Sequence, residues 1–142
     1  MHQPITILYV EDSPENRLLV RRVLQAEGYT VLEAAGADQA VQVLQTHLPD
    51  LILMDINMPG VDGYTLTARL KSQAALKHVP IIALTANVRR GDWERSIQAG
   101  CDGYIQKPFD VDDLPIQVQG YLQAARKFPT GGLTSLTDFE AS

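Results

Sequence analysis

Five polar residues sit where apolar runs of this chain stop. Glu11 and Asp12 follow the run Ile5 to Val10, and Asp55 closes Leu51 to Met54, with Asn57 two places on. Thr85 closes Ile81 to Leu84, and Lys107-Pro108 follows Gly103 to Gln106. Three carboxylates drawn together repel, and each resists ionisation beside the others. A divalent cation resolves the conflict. The donors are hard oxygens with no histidine or thiolate nearby, which suits Mg2+ retaining several waters. That chemistry requires a fold that gathers these strand ends.

The hydrophobic periodicity supplies one. Ile5 to Val10, Thr30 to Ala34, Leu51 to Met54, Ile81 to Leu84 and Gly103 to Gln106 read as five short strands. Between them, Leu19, Val20, Val23 and Leu24 repeat at helical spacing, opened by Ser13-Pro14 and stopped by Gly28. Ala37, Ala40, Val41 and Leu44 mark a second helix, Gly63 to Ser72 a third, and Trp93 with Ile97 a fourth. Leu114, Val118, Tyr121 and Leu122 mark a fifth, in which Pro115 is tolerated only in the first turn, so Asp112 or Asp113 is expected as the N-cap. Apolar strands alternating with helices predict a parallel sheet covered on both faces, a doubly wound α/β sandwich. Such folds carry their sites at the carboxyl ends of the strands.

Composition narrows the function. The chain has 142 residues, 17 acidic against 12 basic, and a net charge of −5. A general nucleic-acid binder needs a basic face to replace counterions, and an anionic membrane attracts basic segments, so neither partner is expected. No apolar run approaches the roughly 20 residues of a membrane span. The first residues lack a basic segment followed by an apolar one, so the expected location is the cytoplasm. A single cysteine, Cys101, excludes an internal disulfide and reads as a small buried hydrophobe. His2, His47 and His78 form no ligand cluster, and the Arg89-Arg90 pair reads as solvated.

The ordered set Glu11-Asp12, Asp55, Met58-Pro59-Gly60 with Asp62-Gly63, Thr85-Ala86, Tyr104 and Lys107-Pro108-Phe109 resembles the receiver domain of two-component response regulators. The likeness runs from about Pro4 to Ala125. It is strongest to single-domain receivers of the cell-division type, and receivers of hybrid histidine kinases look similar. The resemblance implies a flavodoxin-like (βα)5 sandwich with strand order 2-1-3-4-5. It implies a receiver at 1–125 and leaves 126–142, with Phe128 and Phe139, as a short flexible tail.

The resemblance also implies roles. Asp55 would take a phosphoryl group from a histidine kinase or phosphotransfer protein. Mg2+ would be held by Asp12, Asp55 and the backbone carbonyl of Asn57, with Glu11 acting through water. Lys107 would pair with Asp55 and then with the phosphoryl group, aimed by a cis Lys107-Pro108 bond. Thr85 and Tyr104 would form the switch, and Asn57 and Asn87 would flank the hydrolytic water. Output would be read by a protein partner on the face of the fourth helix, fifth strand and fifth helix, by a monomer or weak dimer. A relay shuttle is a variant of this reading. A dehalogenase-type hydrolase is disfavoured because it needs an acid where Asn57 stands. A flavodoxin-like cofactor carrier is disfavoured because the loops are acidic rather than phosphate-cradling.

Overall fold

The computed structural model describes residues 4–58, 60, 62–86, 90–108 and 110–127, the last two and 90–93 by backbone alone. Five strands, β1 (Thr6–Val10), β2 (Thr30–Ala34), β3 (Leu51–Asp55), β4 (Ile81–Thr85) and β5 (Gly103–Gln106), alternate with α1 (Pro14–Ala26), α2 (Ala37–Thr46), α3 (Gly63–Lys71), α4 (Arg90–Ala99) and α5 (Asp113–Lys127). The sheet order is β2-β1-β3-β4-β5, and every pairing is parallel. This is the expected flavodoxin-like arrangement. A short 3-10 turn at Ala74–Leu76, absent from the periodicity, buries Leu76 before β4. No helix among the described residues is long and apolar enough to cross a membrane.

Strand alternation divides the core between the two sheet faces. On one face Leu8, Val10, Ile52, Met54, Ile81 and Ala83 pack with Ala40 of α2 and with Leu66 and Leu70 of α3. On the other, Ile7, Tyr9, Leu51, Leu53, Ile82 and Leu84 pack with Val20 and Leu24 of α1 and with Leu114 and Val118 of α5. All of these are essentially sealed from solvent. Each of the larger aliphatic side chains contributes about 1.5–3 kcal/mol by leaving water, so the strand ends rest on a well-packed support.

The helix starts follow local chemistry. The Ser13 hydroxyl accepts from Asn16 N–H with Pro14 at the first helical position, and Gly28, at φ +93°, stops α1. The Asp62 carboxylate accepts from Thr65 N–H at 2.8 Å to open α3. Helix α5 begins at Asp113, which leaves Asp112 at the expected N-cap position. The Asp110 carboxylate closes the turn that leads in, accepting from Asp112 N–H at 2.7 Å. The Asp110 carbonyl accepts from the N–H groups of Asp113 and Leu114. That start leaves Pro115 in the first turn, where its missing N–H costs no hydrogen bond. In α4 the small Ser96 faces inward at 1% exposure, where the helix packs against α3, and Ile97 stands 52% exposed. The Trp93 side chain, Arg89 and the tail from 128 lie outside the described residues.

Two contacts hold the edge of β5. The Tyr121 hydroxyl of α5 accepts from Tyr104 N–H at 3.2 Å and donates to the Tyr104 carbonyl at 2.9 Å. Its ring lies over Gly103, where any Cβ would collide with it.

Two glycines behave oppositely. A Cβ on Gly63 would stand 2.6 Å from the Asp55 carbonyl oxygen and 2.8 Å from Ile56 Cα, backbone that cannot yield without moving the end of β3. Gly120, inside α5, has nothing within 4 Å of its Cβ direction. Gly63→Ala is therefore expected to destabilise by about 1–3 kcal/mol. Gly120→Ala is expected to stabilise by about 0.5–1 kcal/mol. Urea unfolding midpoints check both signs.

Candidate functional site: an acidic cluster at the carboxyl end of the sheet

The topology brings the ends of β1 and β3 side by side, with β4 and β5 beyond. Just past β1, the Glu11 N–H donates to the Ala34 carbonyl of β2 at 2.9 Å. Glu11 thereby stays on the sheet face of Tyr9, and both Glu11 and Asp55 are 2% exposed. Asp12, the next residue, is exposed. Carboxylate oxygens of Glu11, Asp12 and Asp55 all lie within 4.8 Å of one another.

Lys107 answers this charge. Its backbone N–H donates to the Thr85 carbonyl at 2.8 Å, fixing the lysine to the end of β4. The Lys107–Pro108 bond is cis. The ammonium reaches Asp55 Oδ1 at 3.0 Å and Glu11 Oε1 at 3.2 Å. Asp55 Oδ1 also accepts from Asn57 N–H at 3.1 Å, which folds the chain back directly after β3. Beside the lysine, Asn16, Leu19, Ala86 and Pro108 line a cleft of about 270 Å3.

Burial and the neighbouring carboxyl of Glu11 push the Asp55 carboxyl above its usual range, against the pull of Asn57 N–H and Lys107. For Glu11, burial also opposes the charge, but the hydrogen bond shared with Asp55, the Lys107 ammonium and Ser13 N–H bring it down to about 2. Glu11 is thus the settled anion of the pair and Asp55 the strained one. Burial disfavours the Lys107 charge, yet its two carboxylate partners outweigh this and raise it.

The expected residues assemble as follows. Glu11, Asp12, Asp55 and Lys107 meet in one cluster. Thr85, 5% exposed, ends the adjoining strand. Tyr104 lies on β5, 38% exposed and paired in register with Ala83, two residues before Thr85. Asn57 is exposed beside Asp55, and Asn87 lies outside the described residues. Cys101 is 8% exposed, and burial raises its thiol to about 11, in keeping with a packing role.

Three further residues complete the site. The buried Tyr9 hydroxyl donates to Glu11 Oε1 at 3.0 Å, and burial followed by the Glu11 charge raises its pKa well above the usual phenol value, so it remains a donor. Asn16 Nδ2 stands 3.4 Å from the same oxygen. Arg17 donates to the carbonyls of Glu11 at 2.7 Å and Asp12 at 3.1 Å, while also facing Glu33 of β2. The strand period gave a signal for Tyr9, two residues before Glu11 and so on its face. Arg17, in the first turns of α1, is placed only by how that helix docks.

A divalent cation fits the cluster. The donors are hard oxygens, the cluster holds one more carboxylate than Lys107 bridges, and Asp12 leaves an exposed face for waters.

Comparison with known proteins agrees. Residues 7–119 match the family model described as response regulator receiver domain. The polar-differentiation response regulator DivK of Brucella anthropi is 40% identical over 119 residues, 84% of this chain and 97% of that protein. Among solved structures, the chemotaxis protein CheY4 of Vibrio cholerae superposes with a TM-score of 0.80 at 30% identity, covering 83% of this chain and 98% of that one. The receiver domain of a sensor histidine kinase from Pseudomonas aeruginosa PAO1, with a magnesium ion coordinated in its active site cleft, gives 0.77 at 39% identity, covering 85% and 99%.

The two carboxyls predict opposite pH trends in the metal-free protein. Asp55, raised on folding, favours the folded state below its unfolded value of about 3.9 and loses that contribution as pH rises through the raised value. Glu11, lowered to about 2, contributes above its unfolded value of about 4.3 and loses this as pH falls. Lys107→Met removes the cation that lowers both. Its deficit against wild type is expected to grow between about pH 4 and 7, reaching about 3 kcal/mol or less because the lysine is partly exposed. Urea unfolding across that range, with chelator present, measures it.

Proposed function

Because this chain belongs to the response regulator receiver domain family of two-component signalling, we propose that it is a phosphorylation-dependent switch whose acceptor is Asp55. The observation that carries this reading is the placing of Lys107 Nζ 3.0 Å from Asp55 Oδ1, inside a cluster with Glu11 and Asp12. A carboxylate is a weak nucleophile, so the rate must come from alignment and charge neutralisation. Asp12, Asp55 and the backbone carbonyl of Asn57 would hold Mg2+, with Glu11 acting through water. Bound there, the ion supplies positive charge for the phosphoryl oxygens.

In the proposed transfer, an Asp55 oxygen attacks the phosphorus of a phosphohistidine on a histidine kinase or phosphotransfer protein. The P–N bond breaks with its electron pair staying on that ring nitrogen, and the imidazole leaves neutral because its other nitrogen already carries a proton. Lys107 turns from the Asp55 carboxylate to a phosphoryl oxygen, keeping a charge-assisted bond throughout. Asn57 and Asn87 would flank the path of the hydrolytic water. Both are neutral and compact, so the phosphoryl group is released at a rate ordinary for receivers. This self-limited cycle is switching rather than turnover of a diffusible substrate.

The readout follows from neighbouring strands. Thr85 would donate its hydroxyl to a phosphoryl oxygen, drawing the end of β4 inward, and Tyr104 on β5 would follow into the space released. The surface of α4, β5 and α5 would change its affinity for a downstream protein. The partners are proteins, not nucleic acid. A place as a shuttle within a relay uses the same chemistry.

Acetyl phosphate with Mg2+ is expected to leave one acid-stable, base-labile phosphate, absent in Asp55→Asn and lost on chelation. Lys107→Ala is expected to slow its formation by about tenfold or more, the size of a lost charge-assisted bond. Intact-mass spectrometry over time reads both. Continuous release of phosphate from a phosphomonoester would instead mark a hydrolase.

A further inference from the structure

Tyr9 is wholly buried in β1 among Ile7, Leu53, Val20 and Leu24, yet its hydroxyl reaches out of that apolar layer. It donates to Glu11 Oε1 at 3.0 Å, the oxygen that also accepts from Lys107 Nζ at 3.2 Å and from Asn16 Nδ2 at 3.4 Å. The other oxygen, Oε2, accepts from Ser13 N–H at 3.3 Å. Glu11 therefore spends its acceptor capacity on donors from β1, α1 and the loop after β5. Lys107 has a second partner, Asp55 Oδ1, at 3.0 Å. Two carboxylates thus compete for one ammonium, and whichever draws it more strongly sets its place.

We infer that Tyr9 is a positioning residue: by sharing Glu11 Oε1 with Lys107, its hydroxyl weakens the hold of Glu11 on the ammonium and leaves Lys107 at Asp55. A hydrogen bond to a carboxylate oxygen disperses its charge, so each added donor reduces the attraction left for the next. Without the hydroxyl, Glu11 would be a buried anion one donor short. The mobile cation would make up the deficit by moving toward Glu11 and away from Asp55. Phenylalanine would fill the same apolar space, so the role belongs to the oxygen and not to the ring. The inference rests on the reading of Asp55 as phosphoryl acceptor, and it assigns Tyr9 no contact with the phosphoryl group or the cation.

The test uses the full chain with Tyr9→Phe, and Tyr9→Leu as a second hydroxyl-free variant should phenylalanine fold poorly. At saturating Mg2+ and acetyl phosphate, phosphorylation is expected to slow about three- to tenfold, the size of one hydrogen bond. Mg2+ affinity, read by intrinsic fluorescence without phosphodonor, should stay within about twofold, because Asp12 and Asp55 are untouched. The Lys107 15Nζ resonance of the metal-free protein should move. In a Glu11→Gln background the same Tyr9 change should add nothing, since the path through Glu11 is already gone. An unchanged rate with an unmoved Lys107 resonance would overturn the inference, as would an equal loss in both backgrounds. Phosphorylation of Asp55→Asn would instead overturn the acceptor assignment, and the Lys107 resonance, recorded without phosphodonor, still decides the role of Tyr9.

Discussion

A single ammonium stands between two buried carboxylates. Lys107 bridges Glu11 and Asp55, each 2% exposed, while Asp12 adds a third negative group from the solvent side. Little else at this end of the molecule can be understood apart from that shortage of positive charge. Among the described residues one ammonium faces three carboxylates, a charge balance that favours an added cation. Glu11 absorbs the ordered donors, from Tyr9, Asn16, Ser13 and Lys107, and is the stable anion. Asp55 accepts from Asn57 N–H and Lys107 on its Oδ1.

The fold produces this imbalance by its order. Because β1 lies between β2 and β3, the acids after β1 sit beside the acid that ends β3. Because β4 separates β3 from β5, the lysine must reach across one strand. Its backbone is anchored to Thr85 on that intervening strand, so the reach is fixed at its base and held at its tip by the two carboxylates. Thr85 is thus both the support of the lysine main chain and the neighbour of the site. Movement at the end of β4 and the setting of Lys107 are mechanically joined. On the opposite side Arg17 clasps the carbonyls of the acidic pair and is itself steadied by Glu33 of β2, so all five strands contribute to holding one cluster.

Much of this was legible in the residues. Unbroken apolar runs at β1, β3 and β4 require a parallel sheet buried on both faces, and polar residues at their ends mark the functional edge without a structure. The ordered motifs added the strand order and the cis Lys107–Pro108 bond. What escaped belongs to docking rather than pattern. The turn closed on Asp110 precedes the N-cap position at Asp112, and no periodicity marks it. Ser96 faces inward while Ile97 stands exposed, since helical spacing gives a face but not its rotation. Arg17 reaches the acidic loop only once α1 is laid against the sheet. Tyr9 sat within a run read as core, and its ring is core; only the position of its oxygen joins it to the site.

The clasp of Tyr121 on β5 has a consequence for the protein in concentrated solution. β5 is an outer strand of the sheet, and the outward N–H and carbonyl of an outer strand form a template onto which a foreign strand can pair. At Tyr104 both groups are already engaged by one phenolic oxygen, which accepts and donates as a neighbouring backbone would. The ring can lie low enough to do so because Gly103 has no side chain. Helix α5 thus ends the sheet chemically as well as covering it, and at that residue the molecule is protected against edge-to-edge aggregation by a side chain of its own.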